Sequence, residues 1–376
     1  MRILMMCYEF PPLGGGAGRV VNGLCRQLAR SGDEVTVMTM RYRGLPPDNK
    51  LDGFHVRRIP CVRLKKYYCT IPEVATYLAS GFIFAMRLVR SYKPDIIHAH
   101  FIFPDGLIAR VASFYSRVPY LITAHGTDVP DYNPHRARSM HRLMSFIWRK
   151  TAQSAGNVIC PSLGIRRLVK LHAPDARTRV IPNGYEINRF RRSHKKNRII
   201  AVSRLLERKG IQYLIQAVAD TDIHWEIVIA GDGPYMEELQ QMAKAAKSKI
   251  HFAGWLENGS DKLNSLYESS SIFVFPSEAE NFPICLLEAM LSRNAIITTQ
   301  GTGCEEVVGS TALLVPSKDP RAIREALDEL MKNDELRIRL AELAHTRARK
   351  LFDWSMVAKK YQYLYRKCAY ERRVPI

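Results

Sequence analysis

Residues 271–290 read SIFVFPSEAENFPICLLEAM and contain, in one stretch, the pattern that recurs along the chain. A short, continuous apolar run predicts a buried strand, a polar loop follows it, and an apolar segment with Pro283 at its start predicts a helix. Loop and helix carry two carboxylates, Glu280 and Glu288, in a chain with a net charge of +20. Such acids are either a helix-capping residue and an exposed helical residue, or they bind a ligand at the end of the strand.

Strand-like apolar runs alternate with amphipathic helices through both halves of the chain. The runs are MRILMMCYEF, EVTVMTM, DIIHAH, PYLITAH and NVICPS in the first half, and RIIAVSR, WEIVIAGDGP, IHFAGW, SIFVFPS and NAIITTQ in the second. Continuous apolar strands that alternate with helices indicate parallel sheets covered on both faces. We therefore predict an α/β fold of two Rossmann-like parallel-sheet domains that face each other across a cleft.

The domain boundaries follow from length and composition. A chain of 376 residues is long for a single core, and the basic, turn-rich segment 181–198 predicts a hinge. We expect domains at residues 1–185 and 186–350. Residues 351–376 predict a terminal helix that packs back towards the first domain.

Cysteine spacing and hydropathy exclude several classes of protein. The eight cysteines form no CxxC pair, which argues against a disulfide framework and a structural zinc site. No run approaches the roughly 18 to 20 uncharged apolar residues that cross a bilayer, and the N-terminus turns into a proline loop too early for a signal peptide. We therefore expect a cytoplasmic protein.

The positive charge is concentrated in the first half of the chain. Residues 1–190 hold 28 Lys and Arg against 12 Asp and Glu, whereas residues 191–376 hold 28 against 24. The first half therefore predicts contact with an anionic partner, for which an anionic membrane surface and a nucleic acid are the general candidates. No RNA- or DNA-reading motif is present, so we expect no nucleic-acid partner.

The loop GGGAGR follows the first strand and leads into a helix, as in a dinucleotide-binding fingerprint. The spacing fails, because counting GxGxxG from Gly14 puts Arg19 at the third glycine position, and the second strand ends without a carboxylate for a ribose. Hydride transfer is therefore disfavoured. Glycines at a helix N-terminus still allow a phosphate to approach the backbone, and a simple flexible turn is the alternative.

Two cations follow the first strand of the second half. Arg204 and Lys209 lie in AVSRLLERKGIQYLI, five residues apart, between the strand and the next helix. Two fixed cations can converge on one small anion and neutralise a diphosphate leaving group. A pair of solvated surface cations is the alternative.

Five motifs, in this order and at these separations, resemble those of the retaining glycosyltransferases of family 4, which have the GT-B fold. They are GGGAGR, TAHGTD, SRLLERKG, AGDGP and ENFPICLLEAM. The likeness spans nearly the whole chain, and its two glutamates separated by seven residues are a fairly specific element. It implies transfer of a sugar from a UDP- or GDP-type sugar nucleotide to an acceptor hydroxyl, without a metal or other cofactor.

The resemblance also implies a donor site in the second half. Arg204 and Lys209 would bind the diphosphate and stabilise it as it leaves. Glu288 would hold the ribose hydroxyls, and Glu280 would lie beside the transferred sugar.

Four consecutive residues would contact the sugar hydroxyls and the phosphate through their backbone: Asn281, Phe282, Pro283 and Ile284. The family usually has glycine at the positions of Asn281 and Pro283. Because proline has no N–H group, this departure changes the expected contacts with the sugar.

In the first half, His125 in TAHGTD matches the family's active-site histidine near the transferred sugar, where an ordinary polar contact is the alternative. Gly15 and Gly16 match the loop that closes over the phosphates, and Asp128 would help to orient the acceptor. His98 and His100 in DIIHAH point the same way along a strand, as a metal pair would. No third ligand is evident nearby, so we assign them to packing and to lining the cleft.

The segment HRARSMHRLMSFIWRK predicts a basic amphipathic helix. Helical projection places Arg138, Arg142 and Arg149 on one side, opposite Trp148 and its apolar neighbours. Either the apolar side packs on the sheet of the first domain and the basic side is solvated, or the helix docks on the anionic inner face of the cell membrane. Docking would bring the enzyme to a lipid-linked or cell-surface glycan acceptor.

Three other functions share parts of this pattern. A GT-B-like nucleotide-sugar epimerase or hydrolase would have the same fold and donor site, and a glycan phosphorylase would need pyridoxal phosphate. A non-catalytic basic scaffold on a membrane would explain the charge of the first half. It would not explain why Arg204, Lys209, Glu280 and Glu288 occur together.

Overall fold

The computed structural model describes residues 1–66, 69–132 and 138–371, with the side chains of 138–143 outside that description. It divides into two compact units, the second of which is Glu186–Asp353. The first unit contains Met1–Tyr185 and the terminal helix Trp354–Glu371. The sequence placed its boundaries after residues 185 and 350, and the structure places them after Tyr185 and Asp353.

Within the described part of the first unit, eight strands form one sheet. They are β1 (Arg2–Met6), β2 (Glu34–Met40), β3 (Asp48–Leu51), β4 (Phe54–Ile59), β5 (Ile96–His100), β6 (Tyr120–Thr123), β7 (Val158–Cys160) and β8 (Thr178–Val180). Their order across the sheet is β3-β4-β2-β1-β5-β6-β7-β8. The pairs are parallel apart from β3 with β4.

Helices cover this sheet. They are α1 (Gly16–Arg30), α2 (Ile71–Tyr92), α3 (Asp105–Ser116), α4 (Arg138–Ser154), α5 (Leu163–His172) and α13 (Trp354–Glu371). The central strands β1, β5 and β6 are buried almost throughout, because helices on both faces shield them from water.

The terminal helix α13 packs directly on α1. The indole of Trp354 lies against the backbone of Gly23, where an added Cβ would be 2.4 Å from Nε1. A side chain at this position would displace the indole, so glycine is required for the close approach. Farther along the helix, the Tyr365 hydroxyl lies 2.8 Å from His98 Nδ1 in the middle of β5.

The second unit, which is described throughout, contains one six-stranded parallel sheet. Its strands are β9 (Lys196–Val202), β10 (Glu226–Ala230), β11 (Ile250–Gly254), β12 (Ser270–Phe275), β13 (Ala295–Thr299) and β14 (Leu313–Val315). Their order is β11-β10-β9-β12-β13-β14. The order reverses between β9 and β12, the kind of point at which open α/β sheets bind their ligands.

The helices of the second unit alternate with these strands. They are α6 (Ile211–Val218), α7 (Met236–Lys244), α8 (Asp261–Ser269), α9 (Ile284–Leu291), α10 (Gly303–Val308), α11 (Pro320–Lys332) and α12 (Asp334–Phe352), with a 3₁₀ turn at Glu207–Lys209. The predicted α/β class, with two parallel-sheet domains, is confirmed.

Candidate functional site

In the second unit, the loop that follows β9 lies directly on the loop that follows β12. Gly210, at the end of the first loop, has φ +73, and an added Cβ would be 2.0 Å from the Pro276 carbonyl oxygen. The two loops are also joined by a hydrogen bond of 2.9 Å from the Glu278 N–H to the Arg208 carbonyl. This contact brings Lys209 and Glu280 together, although they are 71 positions apart in sequence.

Lys209 and Glu280 form an ion pair that is nearly shielded from solvent. The Lys209 ammonium donates to Glu280 Oε1, and the Ser277 hydroxyl donates to the same oxygen at 2.8 Å. The side chains are 11% and 9% exposed, and the ammonium lies 5.4 Å from the centroid of the Phe275 ring. Because a lysine has three N–H donors, Lys209 can keep this carboxylate and also bind an incoming anion.

Arg204 lies two residues beyond the end of β9 and is exposed. Its carbonyl accepts from the Leu206 N–H at 3.0 Å, which helps to shape the tight loop before Lys209. The convergence of its guanidinium with Lys209 on one anion stays a prediction.

Glu288 lies inside α9, with a side chain only 4% exposed. Its carboxylate accepts from the Tyr267 hydroxyl at 3.0 Å and from the Asn258 amide at 3.2 Å. Arg189 Nη1 donates to it at 3.4 Å. The carboxylate that the sequence assigns to a ribose is therefore already held by protein donors.

Arg189 is itself held by neighbouring amides. Its guanidinium donates to Asn264 Oδ1 at 3.0 and 3.2 Å and to Asn258 Oδ1 at 3.1 Å. Sequence reasoning assigned Arg189 only to the hinge segment and singled out none of these amides. Three separate segments supply the partners of Glu288, so no local motif could have revealed them.

Residues 281–284 form the entrance to α9. Pro283 is the N-cap and Ile284 the first helical residue. Asn281 and Phe282 are buried, and the Phe282 ring packs edge to face on Phe352 with centroids 5.4 Å apart. The Phe282 side chain therefore contributes to packing, and the predicted backbone contacts with a ligand stay a prediction.

In the first unit, Gly15 is the N-cap of α1 and Gly16 its first residue. Both are exposed, and an added Cβ at either would meet no atom of the described residues within 4 Å. The space in front of this turn is open, as the approach of a phosphate to the backbone requires. That the loop of Gly15 and Gly16 closes over the donor phosphates stays a prediction.

His100, at the end of β5, lies beside His125, two residues beyond the end of β6, and His98 lies next to His100 in the middle of β5. His100 Nδ1 lies 3.0 Å from His125 Nε2, and His100 Nε2 lies 3.1 Å from the Met5 sulfur. The rings of His98 and His100 are 4.3 Å apart, and His98 Nε2 lies 2.8 Å from Thr123 Oγ1. Sequence reasoning selected all three but did not predict the contact between His100 and His125.

Burial keeps these imidazoles neutral. It lowers the pKa of His98 and that of His125 to about 3, and it lowers the pKa of His100 well below the usual value, with the neighbouring His98 and His125 adding to the effect. Metal clusters of three or more His, Cys, Asp or Glu are absent from the described residues.

Asp128 fixes the loop that carries His125. Its carboxylate accepts from the backbone N–H of His125 at 2.9 Å and from that of Ile102 at 2.7 Å, and its carbonyl accepts from the Trp148 indole at 2.7 Å. Burial raises the pKa of Asp128 to about 6. The structure thus shows Asp128 positioning His125, and its predicted contact with an acceptor stays a prediction.

The basic helix of the sequence corresponds to α4. Arg138 and Arg142 lie outside the residues whose side chains are described, whereas Arg149 is exposed and Trp148 is buried in the core of the first unit. Part of the apolar side therefore packs on the domain. Phe146, on the same helix, is 70% exposed beside Lys150. Over the described residues, no helix has both the length and the apolar content to cross a bilayer.

Two family models match the chain. The model described as Glycosyltransferase Family 4 matches residues 14–189. The model described as Glycosyl transferases group 1 matches residues 185–347. Between them they cover most of the sequence, including every motif quoted above.

Individual proteins resemble the chain over nearly its whole length. An uncharacterised glycosyltransferase of Methanocaldococcus jannaschii is 27% identical over 97% of this chain and 98% of its own. Sucrose-phosphate synthase from Thermosynechococcus elongatus superimposes with a TM-score of 0.80 at 21% identity, over 97% of this chain and 98% of its own. The Anabaena protein HepE, in complex with UDP-glucose, superimposes with a TM-score of 0.74 at 18% identity, over 96% of this chain and 98% of its own. At these identities the two solved structures establish the fold.

Proposed function

Because this chain belongs to the family-4 glycosyltransferases with the GT-B fold, we propose that it moves a sugar from a nucleotide-diphosphate sugar to an acceptor hydroxyl. The anomeric configuration is retained and no metal takes part. The observation that carries the proposal is the shielded Lys209–Glu280 pair where the loops after β9 and β12 meet. The UDP-glucose bound to HepE supports a sugar nucleotide as the class of donor.

The leaving group determines what Lys209 does. When the bond between the sugar C1 and the phosphate oxygen breaks, negative charge develops on the diphosphate. A preorganised ammonium in a partly shielded site stabilises that charge more strongly than water does. Glu280 holds Lys209 in place before the donor arrives, and the Ser277 hydroxyl holds Glu280, so little reorganisation is needed during the reaction.

The acceptor hydroxyl attacks C1 on the face that the diphosphate is leaving. The new bond joins C1 to the acceptor oxygen, and the hydroxyl proton passes to an oxygen of the departing phosphate. Electrons and protons balance without a protein base. The protein contributes mainly orientation and charge stabilisation.

Glu288 binds the ribose in this proposal. A carboxylate that accepts from two vicinal hydroxyls is a strong, charge-assisted contact. Its present donors Arg189 and Asn258 bond Oε1 at 3.4 and 3.2 Å, and the ribose diol replaces these longer contacts. Tyr267, which is buried and bonds Oε2, stays in place and fixes the carboxylate.

The acceptor is a lipid-linked or cell-surface glycan precursor, reached from the cytoplasmic face of an anionic membrane. The excess positive charge of the first half supports this part of the proposal. Large apolar side chains are also exposed on α2, α3 and α4, and α3 packs between the other two. They are Ile83, Phe114, Tyr115 and Phe146, which are 55%, 78%, 68% and 70% exposed.

The proposal is tested with a panel of UDP, GDP, UDP-glucose and GDP-mannose in thermal-shift measurements, followed by product analysis. A ligand that binds only the folded protein raises the melting temperature by mass action. We expect one class of nucleotide to raise the melting temperature. With the matching sugar nucleotide and a lipid extract as acceptor, we expect a glycosylated lipid that keeps the donor's anomeric configuration. Inverted configuration, or free sugar as the main product with every acceptor fraction, would contradict the proposal.

A further inference from the structure

Met5, His100 and His125 form a continuous chain of contacts in the first unit. Strand β5 lies between β1 and β6, and His100 is in register with Thr123, two residues before His125. The Met5 sulfur lies 3.1 Å from His100 Nε2, and His100 Nδ1 lies 3.0 Å from His125 Nε2. Met5 and His100 are fully buried, whereas His125 is half-buried.

The Met5 sulfur determines which nitrogen donates in each of these two contacts. A thioether has no proton to give, so His100 Nε2 carries the proton in its contact with Met5. A neutral imidazole has one N–H, which leaves a lone pair on His100 Nδ1. The hydrogen bond to His125 then requires the proton on His125 Nε2.

Both rings are neutral, since burial lowers the pKa of each far below physiological pH. The tautomer of His125 is therefore specified as well. Its single proton lies on Nε2, towards His100, and its Nδ1 has none. Of the two ring nitrogens, only Nδ1 can act as an acceptor.

We propose that His100 is a positioning residue, which holds the His125 ring in the tautomer that accepts a hydrogen bond at Nδ1. A substrate hydroxyl that reaches this nitrogen must therefore donate to it. The inference rests on the proposed function and on the family resemblance, which implies that His125 lies near the transferred sugar. His100 acts only through His125 and does not touch the substrate.

Two substitutions separate positioning from packing. His100→Leu introduces an apolar side chain of similar bulk and removes the acceptor, so the His125 ring loses its orientation. We expect kcat to fall about tenfold, the scale of one lost hydrogen bond. His100→Asn offers an amide oxygen close to the place of Nδ1, and we expect it to restore kcat to within about threefold of the wild type.

His98→Asn is the matched control. His98 is equally buried and lies on the same strand, but its ring nitrogens contact Tyr365 and Thr123 instead of His125. We expect this variant to lower the melting temperature while kcat stays within about twofold, since only packing and stability are affected. A fall in kcat as large as in His100→Leu would show that the effect is structural.

The tautomer itself is measured without any substrate, by ¹⁵N NMR of histidine-labelled full-length protein at neutral pH. In the wild type and in His100→Asn, we expect the His125 signals of a proton on Nε2 and a bare Nδ1. In His100→Leu we expect a mixture of both tautomers. A proton on Nδ1, or an imidazolium, in the wild type would overturn the inference.

Unchanged kcat in His100→Leu, despite the expected spectra, would overturn the positioning role. Absence of sugar transfer in the wild type would overturn the proposed function and, with it, the catalytic purpose of His100. The spectrum would still decide the tautomer, so the two failures are distinguishable.

Discussion

The two units place polar groups at the carboxyl ends of their strands by opposite means. The first unit brings together imidazoles that are neutral because burial lowers their pKa values. They lie in the half of the chain that carries a large excess of positive charge. The second unit is nearly balanced in charge and encloses ion pairs, Lys209 with Glu280 and Arg189 with Glu288. Under the proposed function, the first region specifies the direction of a hydrogen bond, and the second holds charges in place for a charged ligand.

Under the proposed function, this difference follows from the chemistry of each region. A hydroxyl group is oriented by a neutral acceptor, whereas a diphosphate requires cations that are already in place. Cations held in a shielded site need a counter-charge, because an unpaired buried charge is costly. Glu280 supplies it for Lys209. Without a donor, Glu288 supplies it for Arg189, whose guanidinium also donates to the Asn264 amide oxygen and keeps that contact when the ribose binds.

The largest effect is expected from Lys209→Ala. Loss of the cation that stabilises the leaving diphosphate lowers kcat at least about a hundredfold, with the fold retained. The measurement is steady-state turnover of the donor selected by the thermal-shift panel. Lys318→Ala is the control, because Lys318 pairs with Glu278 in the same unit but is 61% exposed. Near-normal turnover in Lys209→Ala would contradict the role of the pair.

Binding to lipid vesicles tests whether the positive charge of the first unit serves to dock the protein on an anionic membrane. Arg149→Gln with Lys150→Gln removes two exposed cations of α4, each worth about 1 kcal/mol at an anionic surface. We expect binding to vesicles with anionic lipid to weaken about thirtyfold. Arg339→Gln with Arg349→Gln on α12 provides an equally exposed control in the second unit. Binding that is unchanged by the first pair would refute docking through α4.

Glu288→Gln tests the ribose contact. The amide keeps the shape of the side chain but loses the charge that strengthens hydrogen bonds from a diol, so donor affinity falls about tenfold. Isothermal titration with the nucleoside diphosphate measures it. Glu342→Gln is the control, since Glu342 pairs with Arg293 at a more exposed place. An equal loss of affinity in both variants would mean that the ribose binds elsewhere.

Acid should destabilise the first unit through its histidines. Their folded pKa lies near 3 for His98 and His125, whereas the unfolded value is about 6.5. Between these two pH values the unfolded chain binds more protons than the folded protein. The free energy of unfolding therefore has its full value above about pH 6.5. It falls as pH falls towards 3, by up to about 1.4 kcal/mol per pH unit for each histidine.

Two buried acids act in the opposite direction. Burial raises the pKa of Asp105 to about 8 and that of Asp128 to about 6, so their contribution to stability falls as pH rises through these values. The measurement is the melting temperature of the wild type and of His98→Asn from pH 7 to 4. We expect the difference in melting temperature between the two proteins to narrow as pH falls, and parallel curves would contradict the assignment.

The parts of the fold that the sequence predicted are those with local causes. Continuous apolar strands were recognisable because both of their faces are covered, and the family resemblance read from the motifs is confirmed. The antiparallel β3–β4 hairpin was missed, although Asp52 and Gly53 between its strands both have positive φ. An Asp-Gly pair between strand-like runs is a recognised hairpin signal.

The contacts inside the candidate site were less accessible. Lys209 meets Glu280 only because β9 and β12 are neighbours in the sheet, and an alternating pattern of strands and helices does not reveal strand order. The same reason hides the contact between His100 and His125 across β5 and β6. Arg189 reaches Glu288 from a segment in which sequence reasoning predicted only a hinge.

The most direct test is a crystal structure of the full-length protein with an intact or slowly hydrolysed sugar nucleotide. The account predicts the diphosphate on Lys209 and Arg204 and the ribose hydroxyls on Glu288, with Arg189 and Asn258 displaced from that carboxylate. A donor bound elsewhere, or bound while Lys209 contacts Glu280 alone and Glu288 keeps all its present partners, would contradict it.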